Sequence, residues 1–182
     1  MTDIRSRIRR VDRRRVKQAA ILAVVILVVL WVFHFNGNSL DPTDRQVVLV
    51  VTDSMDGDVT EFDIDSFPAD TLVMVQHLSP YETQFLRIGD VISYRDSGAL
   101  VHHRVVLVGE GYVYVHGDNN HSTEKVMLED VNGRVIGTSW VAGHLMAFIS
   151  GNFLAFLAAL FAVSSALVVY AVYSGRGEEV AE

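Results

Sequence analysis

The chain has 182 residues, a formal net charge of −7, 50% hydrophobic residues and no cysteine. That length suits one domain of ordinary size, and the lack of cysteine excludes disulfide scaffolds, thiol nucleophiles and cysteine-ligated metals. The charge is unevenly spread: residues 1–17 hold eight Arg or Lys against two acids, a net of +6, and the other 165 residues a net of −13, an acidic body unsuited to neutralising nucleic-acid phosphates.

The basic segment 1–18 is expected in the cytoplasm, because it abuts an apolar run and positive charge stays inside. That run, AAILAVVILVVLWVFHF over residues 19–35, predicts a transmembrane helix over 19–36. Seventeen residues lie at the short end of what spans a hydrocarbon core, and Trp31 suits the interface. No small-x-small cleavage site follows in FNGNSLDP, so an uncleaved signal anchor is favoured over a removable signal peptide. Residues 37–152 are then expected outside the membrane. They hold six basic residues and 17 acids, a balance suited to a high-salt exterior or to an ordinary acidic domain.

Within that region QVVLVVTDSM, TLVMVQHL, DVISYRD, ALVHHRVVLVGE, GYVYVHGD and NGRVIGT are short β-rich runs broken by Gly, Asp, Asn and Ser. None has a helix-long amphipathic period. GYVYVHG alternates, with Tyr112, Tyr114 and His116 on one face and Val113 and Val115 on the other. LVGEGYVYV reads as a hairpin turning at Glu110 and Gly111. The fold class expected is mainly β: an antiparallel extracytoplasmic domain flanked by two transmembrane helices. The acidic stretch 56–70 reads as a surface loop, with Val59, Phe62, Ile64 and Phe67 either touching lipid or, preferably, tucked into the fold. Residues 153–173, FLAFLAALFAVSSALVVYAVY, carry no charge and predict a second transmembrane helix. Residues 174–182 would return to the cytoplasm, making a two-span protein of the cell membrane.

Three stretches bear chemistry. Val50–Met55 ends a strand in a turn containing Ser54; Leu100–Val106 is a strand holding His102, His103 and Arg104; His116–Asn120 closes a strand at Asp118. A hydroxyl nucleophile, a base of near-neutral pKa and an orienting carboxylate are what acyl transfer needs. The same residues also suit a turn serine, an in-strand histidine and a turn aspartate with no chemistry. His116, Asp118 and His121 offer weak donors for zinc, but the tight Gly-Asp-Asn-Asn turn already accounts for Asp118. No phosphate loop, zincin helix or dinucleotide fingerprint is present, and no cofactor or metal is expected.

The strings TDSM, GDVISY, VHHRVV and HGDNN, in that order, resemble the boxes of type I signal peptidases, most closely the archaeal and endoplasmic-reticulum branch. The resemblance covers about residues 45–138 and the N-terminal anchor. It implies a membrane-bound serine endopeptidase acting on the signal peptides of exported preproteins. Its partners would be those preproteins, the lipid bilayer and the protein translocation machinery, with no nucleic acid. By the resemblance, Ser54 is the nucleophile, Thr52 and the Ser54 N–H hold the oxyanion, His103 is the general base and Asp118 an essential acid. A second family acid, usually Asp, falls at Glu124, and which acid pairs with His103 stays open. The only lysines are Lys17 and Lys125; neither sits where a Ser–Lys dyad would need it. His102 and His103 fall on opposite faces of one strand, and the His-Arg pair selects His103.

The chain departs from the pattern at Gly57, where the family has Pro, and at Asp70-Thr71, where the family has Gly-Asp. Gly57 suggests a turn after Ser54 that is looser or differently shaped. These departures keep an alternative in view: a catalytically decayed, membrane-anchored β-module serving as an accessory or scaffold subunit. A self-cleaving regulator of the LexA type fits less well, given two apolar spans and no suitable lysine.

Overall fold

In the computed structural model, which describes residues 13–37, 39–41, 43–120 and 122–176, the chain divides into two compact units. The first is helical. Helix α1 runs Arg13–Phe35 and helix α3 runs Phe153–Arg176, so both apolar runs are helical. Within this unit Leu30, Phe33 and Phe153 are buried, and His34 stacks on Phe153 at 4.3 Å. Among the described residues no single helix is long and apolar enough to cross a membrane; Trp140–Gly151 and Phe153–Ala166 reach that length only together, and the apolar part of α1 is Ile21–Phe35. The basic residues of segment 1–12, His121 and the tail 177–182 lie outside the described residues.

The second unit, Phe35–Gly151, is one eight-stranded sheet. Its strands are β1 (Ser39–Leu40), β2 (Arg45–Leu49), β3 (Leu72–His77), β4 (Val91–Asp96), β5 (Ala99–Val108), β6 (Tyr112–His116), β7 (Glu124–Met127) and β8 (Val131–Ser139). The order across the sheet is β1-β2-β3-β8-β4-β5-β6-β7, and every pairing is antiparallel. Runs of Val, Ile and Tyr suit a pleated surface, where branched side chains pack against cross-strand neighbours. Helix α2 (Trp140–Gly151) follows β8 and sits on the chain at Asp70–Leu72 through the bare Cα of Gly143.

Two apolar clusters occupy opposite faces. Val91 of β4 packs with Met55, Phe67, Val73, Val75 and Val135. Ile92 and Tyr94 pack with Val105, Val113, Val115 and Val126. In β6 the valines are fully buried and the tyrosines half-exposed, as alternation predicts. The β5–β6 hairpin turns at Gly111, whose φ of +79° needs no Cβ penalty. The β4–β5 hairpin turns at Ser97-Gly98, both with positive φ, the signature of a type I′ turn whose twist matches its strands. Strands β1 and β7 were not anticipated: each is short, and EKVM in β7 follows a polar tract. The acidic segment 56–70 carries no strand, but it is no loose surface loop: Phe67 enters the core, and Val59, Phe62 and Ile64 are half-buried.

Candidate active site

The Ser54 loop leaves β2 and returns to β3 through a neck in which the Val50 N–H donates to Thr71 O at 2.9 Å and the Asp70 N–H to Val50 O at 2.9 Å. Asp70 stands there at φ +56°, a left-handed conformation in which aspartate is among the few tolerated side chains. It is a backbone shape that glycine would also adopt. Met55 is fully buried in the valine cluster and pins the residue after Ser54. Phe67 N–H donates to Met55 O at 2.8 Å, and Ala69 N–H to Asp53 Oδ1 at 2.9 Å. The other wall is the turn after β6: Asn119 N–H donates to Ser54 O at 2.9 Å, and Asn119 Nδ2 to Asp53 O at 3.2 Å. The turn around Ser54 is thus bonded on both sides.

The two histidines part as alternation requires. His103 pairs across the ladder with Ile92, and His102 with Ser93, so they share the faces of those partners. His103 looks toward Tyr94 and the Ser54 loop. At Gly117 a Cβ would run into Ser54 O and lie 3.2 Å from His103 Nε2; the serine backbone and the imidazole edge therefore meet over one bare glycine. The Ser54 hydroxyl itself points to Thr52 Oγ1 at 3.4 Å, and no hydrogen bond joins it to His103. Among the described residues neither Ser54 N–H nor His103 Nε2 has a protein partner.

The other ring nitrogen is held. Tyr94 Oη lies 2.9 Å from His103 Nδ1, and the Tyr94 O–H donates to Glu124 Oε2 at 2.6 Å. Glu124 Oε2 is itself 3.9 Å from Nδ1, beyond direct bonding. Burial holds the His103 pKa below its ordinary value, while the Glu124 charge pulls it back up. Tyr94 stays protonated, because burial and then its bond to Glu124 push its pKa up. Tyr94 is the site residue that sequence reading missed. It stood in the GDVISY string, but nothing local indicated that its hydroxyl meets a residue 30 positions on.

Asp118 does not touch His103. Arg104 grips it with two bonds, Nε to Oδ1 at 2.8 Å and Nη2 to Oδ2 at 2.6 Å, and both side chains are buried. Ser66 Oγ donates to Oδ2 at 2.6 Å. Arg104 Nη1 donates to Ile64 O at 2.9 Å and to Gly89 O at 3.0 Å. Asp118 thus ties β5 and the acidic loop to the turn that bonds Ser54. Gly57 belongs to the same junction: a Cβ there would fall 2.8 Å from Asp118 O. Of the two expectations for Gly57, a looser turn or a differently shaped one, the close contact fits the second, and glycine permits it. Of the residues in the zinc reading, Asp118 is taken up by Arg104 and Ser66, His116 Nδ1 lies 2.7 Å from Gly117 O, and His121 lies outside the described residues.

No protein-family model matches this chain, and no curated protein matches it in sequence.

Proposed function

We propose that this chain is a membrane-bound serine endopeptidase that removes N-terminal signal peptides from exported preproteins. Ser54 is the nucleophile and His103 the general base. The observation that carries the reading is the junction at Gly117, where the Ser54 loop and the unpartnered Nε2 edge of His103 meet. The four sequence boxes add to it. Substrate binding turns the Ser54 hydroxyl from Thr52 toward His103, a tightening that resting sites commonly leave to the bound complex. Nε2 then takes the Ser54 proton as Oγ attacks the scissile carbonyl. The Ser54 N–H and the Thr52 hydroxyl receive the oxyanion. The imidazolium returns the proton to the leaving amine, and a water, deprotonated by the same nitrogen, hydrolyses the acyl-enzyme.

In this reading α1 and α3 anchor the enzyme in the bilayer with both termini cytoplasmic, beside the translocation machinery that delivers preproteins. The Arg-rich segment before α1 supports that orientation. Asp118 acts at a distance from the imidazole, by holding the Ser54 loop in place through Arg104 and Asn119. Cleavage of a preprotein by membranes carrying wild type, Ser54→Ala or His103→Ala tests the assignment. Each variant should lose at least about 10³-fold in rate, as removal of a nucleophile or its base does elsewhere. Equal cleavage by all three would return the chain to the class of decayed accessory modules.

A further inference from the structure

We propose that Tyr94 is a positioning residue of this site: its hydroxyl couples Glu124 to His103 and fixes the neutral imidazole with its proton on Nδ1, leaving Nε2 as the acceptor that faces Ser54. The kinetic consequences rest on the peptidase reading; the protonation pattern does not.

Counting protons gives the pattern. An ionised carboxylate only accepts, and a phenol has one proton to give. The 2.6 Å bond to Glu124 Oε2 takes that proton, so what Tyr94 Oη presents to His103 at 2.9 Å is a lone pair. Nδ1 must therefore donate. Neutral imidazole carries one N–H, and Nε2 is left bare. Among the described residues no other charged or titratable group around the ring competes for Nδ1. Asp118 spends its oxygens on Arg104 and Ser66. His116 Nδ1 turns to Gly117 O, Asp96 Oδ1 accepts from Ser97 Oγ, and His102 lies on the other face of β5.

The length of Glu124 fits this role. The tyrosine hydroxyl stands between carboxylate and imidazole, and Glu124 still reaches it from β7. An aspartate, one methylene shorter, would draw back from Oη. Glu124 is partly exposed at a cavity of about 420 Å³ that Tyr94, Asp96 and Lys125 also line, so its carboxylate keeps water on one side and the hydroxyl on the other. When Nε2 takes the Ser54 proton, Nδ1–H stays where it is. The new positive charge is met by a hydroxyl oxygen polarised by Glu124, and no proton crosses Tyr94.

The test uses full-length protein in detergent micelles with ¹⁵N-labelled histidine, the His103 signals being assigned by their loss in His103→Gln. Neutral His103 should show a protonated Nδ1 and a bare Nε2, and Tyr94→Phe should move the proton toward Nε2. In peptide cleavage Tyr94→Phe should lower kcat about 10²-fold with KM nearly unchanged and shift the acid limb of the pH profile to lower pH. Glu124→Gln and Glu124→Asp should each cost about tenfold with Tyr94 present and nothing further in Tyr94→Phe, the non-additivity expected of residues acting as one unit. A wild-type His103 protonated at Nε2, or a Glu124 effect of equal size with and without Tyr94, overturns the proposal. If Ser54→Ala cleaves like wild type, the peptidase reading fails, and the ¹⁵N spectra of wild type and Tyr94→Phe still decide the role of Tyr94.

Discussion

The two faces of β5 treat charge in opposite ways. On one face, Arg104 and Asp118 are sealed in the protein, each bonded on several sides. On the other, His103 is held by a neutral hydroxyl whose carboxylate partner remains partly in water. The sealed pair is held by fixed bonds on every side; the open chain can stabilise a transient imidazolium without burying a permanent ion. One strand thus carries both a structural clamp and a titrating group, one residue apart. The two acids are used differently: Asp118 is bonded into the clamp beside the Ser54 loop, and Glu124 reaches His103 through Tyr94.

The sharpest way to break this comparison is to remove a carboxylate charge from each face. Asp118→Asn leaves Arg104 as an uncompensated buried cation and should cost about 3–5 kcal/mol. Glu124→Gln removes a partly exposed charge and should change stability by less than about 1 kcal/mol. Urea denaturation of both variants measures the contrast. Because Asp118 also holds the turn that bonds Ser54, its loss should disturb catalysis in whatever protein remains folded. The double change Arg104→Met with Asp118→Leu should recover much of the stability, since well-packed apolar residues replace a buried pair at little cost. Equal destabilisation by Asp118→Asn and Glu124→Gln would erase the division of labour.

A second prediction concerns the other histidine on the sealed face. His102 is buried, and among the described residues neither ring nitrogen has a hydrogen-bond partner; Ser93 Oγ, across the ladder, has none there either. Burial, with the neighbouring His103 second, pulls the His102 pKa down to about 4 from an ordinary 6.5. The folded-state value is the lower one, so below pH 6.5 the unfolded chain takes up the proton first. Stability is therefore intact above about pH 6.5 and falls as the pH drops toward 4, by roughly 3 kcal/mol from this residue. His102→Leu should remove that dependence and leave stability at pH 7 unchanged or raised, because an unsatisfied imidazole is lost. Urea midpoints at pH 7 and pH 4.5 for both proteins read the difference. His103 shifts in the same direction, so wild-type cleavage should persist somewhat below pH 6.5 and vanish as the base becomes protonated.

This contrast also explains what the sequence could reveal. The six longer strands were legible because branched residues recur in short runs between turn residues, and His103 was separable from His102 because strand alternation sends neighbours to opposite faces. Arg104 carried a signal that was read only as a marker of the histidine. A cation in the middle of VHHRVV is a buried cation, and a buried cation requires a carboxylate; Asp118 was therefore claimed before His103 could have it. The Tyr94–Glu124 link left no such trace. It joins β4 to β7, two strands that are not neighbours in the sheet, and it depends on register. The backbone freedom at Gly57 was legible, but its use was not, because the atoms that fill the space belong to Asp118.

The smallest expected effect lies at Thr52, at the solvent edge of the open face. Its side chain is exposed and its hydroxyl is 3.4 Å from Ser54 Oγ, a contact too long to hold either group firmly. Thr52→Val keeps the shape and removes the hydroxyl, so stability should move by less than about 0.5 kcal/mol. A fixed oxyanion donor contributes about 10²–10³ in rate. An exposed hydroxyl that must first be ordered should contribute less, and a fall in kcat of about tenfold is expected, with Thr52→Ser near wild type. Single-turnover cleavage separates this from a change in binding. A full 10²–10³-fold loss would mean that substrate orders Thr52 into a donor as firm as the Ser54 N–H. No loss would mean that the backbone donor works alone, and the open face would then depend on His103, Tyr94 and Glu124 without help from the loop's second hydroxyl.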